Sequence, residues 1–239
     1  MNKLIVDEMT PVTLVGGGHL GLEDLNEALR HAPVLVAADG GAGAALEQGH
    51  VPEAVIGDFD SLPEAVQNRL PVENLFHLPE QDTTDFDKAL RSIRAPVVLG
   101  AGFLGARVDH QLAAFHTLIQ PGRSPCILIG ATELVFHVHR RIALPMAAGD
   151  VVSLFPMQPV TGRSGGLVWP IEGLQMCPTS RIGTSNRAVG PVWIEADGPG
   201  LLGLVPRHYL VPLMQAIASP VPCQIVSRSV PRPLRAGLP

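Results

Sequence analysis

A regular alternation of short apolar runs with longer amphipathic segments, over about the first 120 residues, constrains this chain most. Five runs have the length and the Val, Ile and Leu content of buried strands: residues 12–15, 34–38, 54–56, 75–78 and 97–99. The segments that separate or follow them have helical length: residues 23–30, 42–48, 63–70, 84–92 and 109–119. Strands separated by helices predict a mostly parallel α/β sheet that is covered by helices on both faces.

The pattern changes after a joint rich in Pro and Gly at residues 120–125. Beyond it the sequence predicts no helices, only short β-type runs at residues 126–129, 133–138, 150–155, 167–169, 192–195 and 201–205. Such runs are typical of an antiparallel β-sandwich or barrel. We therefore divide the chain into an α/β domain at 1–122, a β-sandwich domain at 123–218 and a Pro/Arg-rich tail at 219–239, which we expect to be extended or disordered.

Composition excludes several classes of protein. The 239 residues carry a formal net charge of -5, so the chain lacks the basic field that attracts nucleic acid or an anionic membrane. No apolar run approaches the roughly 20 residues of a membrane-spanning helix. The three cysteines are widely spaced and odd in number, which favours free thiols in a reducing compartment. We expect a soluble, cytoplasmic protein.

Acidic side chains gather where the predicted parallel strands end. Asp39 follows the second strand, Asp58 and Asp60 follow the third, and Asp85 lies after the fourth. Open α/β sheets bind their ligands at these strand ends. In an extended segment Asp58 and Asp60 would point to the same side while Phe59 points into the core. Converging carboxylates repel one another unless a cation lies among them, so this pattern predicts a site for Mg²⁺ that also binds substrate phosphates.

Other polar residues near the same edge suit a phosphorylated ligand. Thr84 and Asp85 can begin a helix whose first amides favour a phosphate. Lys88 is one turn further along, and the only other lysine of the chain is Lys3. Arg107 has a guanidinium group that can bind two phosphate oxygens, and Asp109 can bind a ribose or a base or orient the arginine.

A second motif suggests a different class of enzyme. Residues 16–21 read Gly-Gly-Gly-His-Leu-Gly, which satisfies the GxGxxG dinucleotide fingerprint after a strand and before a helix, with Asp39 about twenty residues on. Taken alone, this motif would predict an NAD-linked oxidoreductase. Such an enzyme has no need for carboxylates at the next strand ends, so the motif remains an alternative.

The motifs together, in this order, resemble the thiamine pyrophosphokinase family. The resemblance is carried by Ala38-Asp39-Gly40-Gly41-Ala42, Gly57-Asp58-Phe59-Asp60-Ser61, Gln81-Asp82-Thr83-Thr84-Asp85-Phe86 with Lys88-Ala89-Leu90, residues 105–110, Gly166-Leu167-Val168-Trp169-Pro170 and Gly183-Thr184-Ser185-Asn186. It extends from about Val12 to Val205. It implies a thiamine diphosphokinase, which transfers the pyrophosphoryl group of ATP to the hydroxyl of thiamine and releases AMP. It also implies an α/β catalytic domain, a thiamine-binding β domain and a homodimer whose active site lies at the subunit interface.

The resemblance implies a role for each matching residue. Asp58, Asp60 and Asp85 would hold Mg²⁺, with Asp39 supporting this catalytic cluster. Gln81, Thr84, Lys88, Arg107 and Asp109 would bind the nucleotide and its phosphates. Ser185 and Asn186 would bind thiamine, and Trp169 or Trp193 is a candidate to cover its aminopyrimidine ring.

The sequence departs from the family pattern at three positions. Ala106 replaces a glycine beside the expected phosphate site, Gln111 replaces a common Thr, and Arg187 follows Ser-Asn where Glu is frequent. A cation at position 187 would repel the thiazolium of thiamine unless it points away. Three alternatives therefore stay open: a diphosphokinase of another alcohol such as a pterin, the NAD-linked oxidoreductase, and a regulator that binds these ligands without catalysis.

Overall fold

A computed structural model describes residues 4–21 and 23–218 of the chain. The predicted tail at 219–239 lies outside the described residues. Within the described residues, the first half contains seven strands and five α-helices, besides a 3-10 helix at Val72–Asn74. They are β1 (Val6–Asp7), β2 (Val12–Val15), α1 (Asp24–His31), β3 (Val34–Ala38), α2 (Gly41–Glu47), β4 (Ala54–Gly57), α3 (Glu64–Gln67), β5 (Leu75–His77), α4 (Asp85–Arg91), β6 (Ile93–Arg94), β7 (Val98–Ala101) and α5 (Val108–Leu118). The second half, as far as residue 218, contains seven strands and one α-helix, besides a 3-10 helix at Arg207–Tyr209. They are β8 (Cys126–Ile129), β9 (Glu133–His137), β10 (Ile142–Leu144), β11 (Val151–Pro156), β12 (Gly162–Leu167), β13 (Gly183–Ala196), β14 (Leu201–Pro206) and α6 (Leu210–Ala218).

Five strands of the first half and β8 form a parallel sheet with the strand order β8-β7-β2-β3-β4-β5, and every neighbouring pair in this order is parallel. Side chains of each strand alternate between two cores. Leu14, Val36 and Ile56 pack in one core with residues of α4 and α5, whereas Leu35 and Val55 pack in the other with residues of α1 and α2. The prediction of a parallel sheet covered on both faces is confirmed.

The two halves share one sheet. β8 is parallel to β7 on one side and antiparallel to β9 on the other, and the antiparallel order continues β9-β14-β11-β13. The sequence grouped residues 126–129 with the antiparallel runs. This strand is antiparallel to β9, as expected, but it is also the last strand of the parallel sheet through its pairing with β7.

The 14-residue strand β13 joins two layers of the second half. Its first residues pair with β11, and the residues from Ala188 onward pair with β12 and β10. Buried side chains from both layers, including Leu154, Val192 and Ile194, form one core. The predicted antiparallel sandwich is therefore present, built around a single long strand.

Several elements differ from the sequence prediction, among them one helix and one strand of the second half. Helix α6 was missed because Pro212 obscured its periodicity, although Leu210, Leu213, Met214 and Ile217 have helical spacing and are buried. The helix tolerates Pro212 because this residue lies in the first turn, where a missing amide costs no helical hydrogen bond. The strand predicted at 167–169 instead covers Gly162–Leu167. No helix within residues 4–21 and 23–218 is long and apolar enough to span a bilayer.

Candidate active site

Four carboxylates converge where the parallel strands end. Asp39 follows β3, Asp58 and Asp60 follow β4, and Asp85 begins α4. One oxygen from each of them lies within 4.8 Å of the others. Asp39 is buried and Asp60 is exposed, so the cluster extends from the sheet core to the surface. Carboxylate oxygens in this number are suited to a hard divalent cation.

The backbone between Asp58 and Asp60 is not extended. Phe59 has φ 66°, in the left-handed region, and its side chain packs against the core formed with α1 and α2. The expectation of an extended segment was therefore wrong, although both carboxylates still reach the cluster. The turn at Phe59 lies between the two carboxylates, and the Phe59 ring lies 5.3 Å, centroid to centroid, from the ring of His77.

Lys88 provides a positive charge inside the cluster. Its side chain is only 1% exposed, and its Nζ lies 2.7 Å from Asp58 Oδ2 and 2.9 Å from Asp85 Oδ1. Burial disfavours the ammonium form, but the hydrogen bonds to Asp58 and Asp85 outweigh that effect and raise the pKa of Lys88. The same contact from Lys88 lowers the pKa of Asp58. Lys88 is thus a fixed counter-ion for two of the four carboxylates.

Asp39 has the opposite electrostatic environment. Burial raises its pKa to about 7, and the charges of Asp85, Asp60 and Asp58 add to this effect, against a hydrogen bond from the backbone N of Ser61. Asp39 Oδ2 accepts that bond at 3.3 Å, whereas Oδ1 is buried without a hydrogen-bond partner. A buried carboxylate oxygen without a partner, in a residue of this cluster, fits a site that is completed by a cation.

Gly57 allows this close approach. A Cβ at this position would lie 2.8 Å from Asp39 Cβ and 3.2 Å from Asp85 Oδ1. Any side chain at residue 57 would therefore displace carboxylates of the cluster.

The loop before α4 places Gln81 and Thr84 beside the cluster. Gln81 Nε2 donates to Asp58 Oδ2 at 3.1 Å. Thr84 is the N-cap of α4, and its Oγ1 accepts a hydrogen bond from the backbone N of Asp87 at 3.3 Å. Glu80 accepts hydrogen bonds from Thr83 and Arg91, which fixes the shape of this loop.

A cavity of about 470 Å³ opens beside the carboxylates. Its lining residues are Gly16, Gly17, Gly18, Ala38, Asp39, Gly40, Ser61, Thr84, Asp85, Phe86, Gly102, Phe103, Ala106, Arg107 and His110. Arg107 is 70% exposed and paired at 2.6 Å with Asp109, so this pair lies at the solvent-facing side of the cavity. Arg107 and Asp109 are therefore accessible to a ligand that enters from solvent.

The glycine segment that follows β2 is part of the site, a role that the sequence did not assign to it. Gly16, Gly17 and Gly18, which matched a dinucleotide fingerprint, line the cavity together with Gly102 and Phe103. The signal was available, because this segment also follows a parallel strand and therefore lies at the ligand-binding edge. In this fold Asp39 is 2% exposed and belongs to the carboxylate cluster.

The residues expected to bind thiamine lie in the β domain. The buried Asn186 accepts hydrogen bonds from the backbone N of Trp169 and of Arg187, and donates to the carbonyl of Trp169 at 2.7 Å. Trp169 is 60% exposed. Ser185 is exposed with φ 61°, and Arg187 donates to the carbonyl of Gly149 at 2.9 Å.

These β-domain residues do not line the cavity of their own chain. Every residue that lines the cavity belongs to the first 110 positions. The described part of one chain thus presents two separate groups of candidate residues, one at the carboxylates and one around Asn186.

Comparison with known proteins agrees with this architecture. Residues 25–129, from α1 to the end of β8, match the family model described as "Thiamin pyrophosphokinase, catalytic domain". A search of curated protein sequences gave no match.

Solved structures share the fold over most of the chain. Thiamin pyrophosphokinase from Candida albicans is 14% identical, with a TM-score of 0.70, covering 86% of this chain and 93% of that one. The Geobacillus thermodenitrificans enzyme is 23% identical, with a TM-score of 0.67 and coverage of 82% and 97%. The yeast enzyme is 16% identical, with a TM-score of 0.66 and coverage of 90% of each chain. Residues 25–129 thus match the catalytic-domain model of the thiamin pyrophosphokinase family, and the chain shares its fold with these structures over most of its length.

Proposed function

We propose that this protein transfers the pyrophosphoryl group of ATP to the hydroxyl of thiamine, giving thiamine pyrophosphate and AMP. One observation carries the proposal: four carboxylates converge beside a cavity of about 470 Å³ within the part of the chain that matches the thiamin pyrophosphokinase catalytic domain. An oxygen-only donor set of this kind is suited to phosphoryl chemistry, in which positioning and charge neutralisation supply most of the rate.

The cluster fits Mg²⁺. Asp58, Asp60 and Asp85 would hold the ion, with Asp39 supporting them, and the partnerless Oδ1 of Asp39 is the structural feature that favours a cation here. When bound, Mg²⁺ would neutralise the charge of the triphosphate. The buried Lys88 already offsets part of the negative charge, so Asp58 and Asp85 stay in place before any ion arrives.

The surrounding residues have the chemistry to orient the nucleotide. Arg107, at the solvent-facing side of the cavity, presents its guanidinium group to incoming phosphates. The ion pair with Asp109 orients this guanidinium group. Thr84 and Gln81 hold the loop that leads into α4, next to the same phosphates. We assign Lys88 to the same group, acting on the phosphates through Asp58 and Asp85, which it holds in place.

The thiamine hydroxyl must lose a proton during the attack on the β-phosphorus. Asp39 and Asp85 are the two candidates for the acceptor, since both line the cavity. Exchanging each for Asn in turn and comparing kcat at saturating substrates distinguishes them.

We also propose that the thiamine pocket comes from a second copy of the chain. Ser185, Asn186 and Trp169 lie outside the cavity of their own chain, and Trp169 is largely exposed. A homodimer that sets the β domain of one subunit against the cavity of the other would complete the site.

The first experiment measures AMP and thiamine pyrophosphate formed by the purified protein from ATP, Mg²⁺ and thiamine, with a chelated sample as control. We expect both products in equal amounts and only with metal. The Asp58→Asn variant should lose at least about 100-fold in kcat. Arg94→Met, which removes an exposed ion pair with Asp7, is the matched control and should keep full activity. Product from a pterin alcohol but not from thiamine, or NAD binding without AMP release, would contradict the proposal.

A mixing experiment tests the shared site. Asp58→Asn impairs the carboxylates and Trp169→Ala impairs the β-domain group, so each variant alone should have low activity. If each site combines two chains, subunit exchange between the two variants restores intact sites and recovers part of the activity. Both variants must remain dimeric in size-exclusion chromatography. If their mixture is then no more active than the sum of the separate variants, the carboxylates and the β-domain residues of one site belong to the same subunit.

A further inference from the structure

Arg207, which follows β14, connects the β half of the chain to the α/β half. Its side chain is 19% exposed, and its Nη1 donates to Asp24 Oδ1 at 2.6 Å and to the carbonyl of Gly130 at 3.0 Å. Its Nε donates to Glu27 Oε2 at 3.0 Å, and its backbone N donates to the carbonyl of Thr132 at 3.0 Å. The guanidinium group is therefore held on three sides, and two of its partners are carboxylates of helix α1.

Asp24 passes this contact to the glycine segment, residues 16–21. Both of its oxygens are used, because Oδ1 accepts from Arg207 while Oδ2 accepts from the backbone N of Gly21 at 2.7 Å. The backbone N of Asp24 donates back to the carbonyl of Gly21 at 3.2 Å. A Cβ at Gly21 would lie 2.8 Å from Asp24 Oδ2, so a side chain at residue 21 would displace this carboxylate. The position of the Asp24 carboxylate thus determines where the glycine segment ends.

The other end of the glycine segment is held by the loop after β7. The backbone N of Gly16 donates to Ala101 at 2.8 Å, and that of Gly18 donates to Gly102 at 2.9 Å. A Cβ at Gly18 would lie 2.5 Å from the carbonyl oxygen of Gly102, so this contact leaves no room for a side chain. Gly16, Gly17 and Gly18 line the cavity, and a ligand there meets their backbone directly.

We propose that Arg207 is a positioning residue for nucleotide binding: by holding Asp24, it fixes the far end of the glycine segment and thereby the backbone that faces the nucleotide. This inference rests on the proposed function. It gives the C-terminal half of each chain a role in the nucleotide cavity of the same chain, although that half lines no part of the cavity.

The test compares Arg207→Met with Arg94→Met, which removes a guanidinium–carboxylate pair that is exposed and remote from the glycine segment. KM for MgATP, KM for thiamine and kcat are measured well below the unfolding temperature of each variant. We expect KM for MgATP to rise about fivefold to tenfold in Arg207→Met, with kcat and KM for thiamine nearly unchanged, because uniform binding of the nucleotide is lost. Arg94→Met should change none of the three.

Two further measurements separate positioning from general stability. Amide hydrogen exchange at Gly21 should become faster in Arg207→Met and stay unchanged in Arg94→Met. Adding Asp24→Asn to Arg207→Met should raise KM for MgATP no further, since both act through the same carboxylate. An unchanged KM for MgATP in Arg207→Met, or equal changes in all three kinetic parameters, would overturn the proposal. If the unaltered protein forms no AMP, the proposed function fails instead, and calorimetric affinity for MgATP in the same variants still decides the role of Arg207.

Discussion

Replacing Lys88 by Met removes the ammonium group from the carboxylate cluster while keeping a flexible side chain of similar length. Lys88 is 1% exposed and pairs with Asp58 at 2.7 Å and with Asp85 at 2.9 Å. Without it, both carboxylates would face Asp39 and Asp60 with no positive charge among them. We expect the variant to be less stable without metal, and to recover when Mg²⁺ takes over the role of the ammonium group.

The size of the effect follows from the geometry. At an effective dielectric constant of about 20, the Coulomb attraction in each pair is roughly 6 kcal/mol before the cost of taking the ammonium group out of water is subtracted. Removing one partner of a buried pair costs about 3–5 kcal/mol. Because the Asp85 side chain is 29% exposed, we expect the lower end, about 3 kcal/mol. For a chain of this size that corresponds to a fall in Tm of about 6–12 °C.

The assay is urea unfolding of both proteins, in EDTA and in excess Mg²⁺. In EDTA the Lys88→Met variant should be less stable by about 3 kcal/mol, and Mg²⁺ should stabilise it more than it stabilises the unaltered protein. Arg91→Met is the matched control, since Arg91 is on the same helix but pairs with Glu80 outside the cluster. Its response to Mg²⁺ should equal that of the unaltered protein. A Lys88→Met variant as stable in EDTA as the unaltered protein, or stabilised by Mg²⁺ no more than Arg91→Met, would refute the reasoning.

Three further predictions concern the cluster and the half-buried His137. The Gly57→Ala variant should have a kcat lower by about tenfold or more and a free energy of unfolding lower by about 1–3 kcal/mol, because the added Cβ would collide with Asp39. Steady-state kinetics and urea unfolding measure these two effects, and a fully active variant would contradict the prediction. Burial raises the pKa of Asp39 to about 7, so metal-free stability should fall as pH rises from about 4 to 7; Asp39→Asn should flatten that fall, and an unchanged profile would disprove the assignment. Burial, and to a lesser extent the charge of His139, lowers the pKa of His137 to about 4. The stability that the neutral ring contributes above pH 6.5 should therefore be lost as pH falls through 4, because protonation breaks the hydrogen bond that Nε2 accepts from the backbone N of Gly200. His137→Gln should remove this loss in acid unfolding, and an identical acid midpoint would contradict it.

The sequence alone determined the parallel part of the fold and the location of the acidic site. Apolar runs of strand length fix which segments are buried, and alternation with helices forces a parallel sheet. Once the sheet is parallel, all its strands end at one edge, so Asp39, Asp58 and Asp85 must approach one another despite their distance in sequence. The separation of the residues into an α/β half and a β half also followed from local pattern.

Local pattern was less informative in the second half. Nothing in the apolar run at residues 126–129 distinguishes the last strand of a parallel sheet from the first strand of a sandwich. The length of β13 could not be predicted either. The strand contains Gly and Pro, which disfavour strands, and it is extended only because β10, β11 and β12 pair with it. Helix α6 had a readable periodicity, which Pro212 obscured.

Tertiary structure alone decided how the site residues interact. Sequence placed Lys88 near the carboxylates, but only packing shows that it is buried between Asp58 and Asp85. The left-handed conformation of Phe59 depends on the core that holds its ring. The contact of Arg207 with Asp24 joins positions 183 residues apart. Periodicity reports only which face of an element is apolar, whereas charge pairing across such distances is fixed by the folded arrangement of elements.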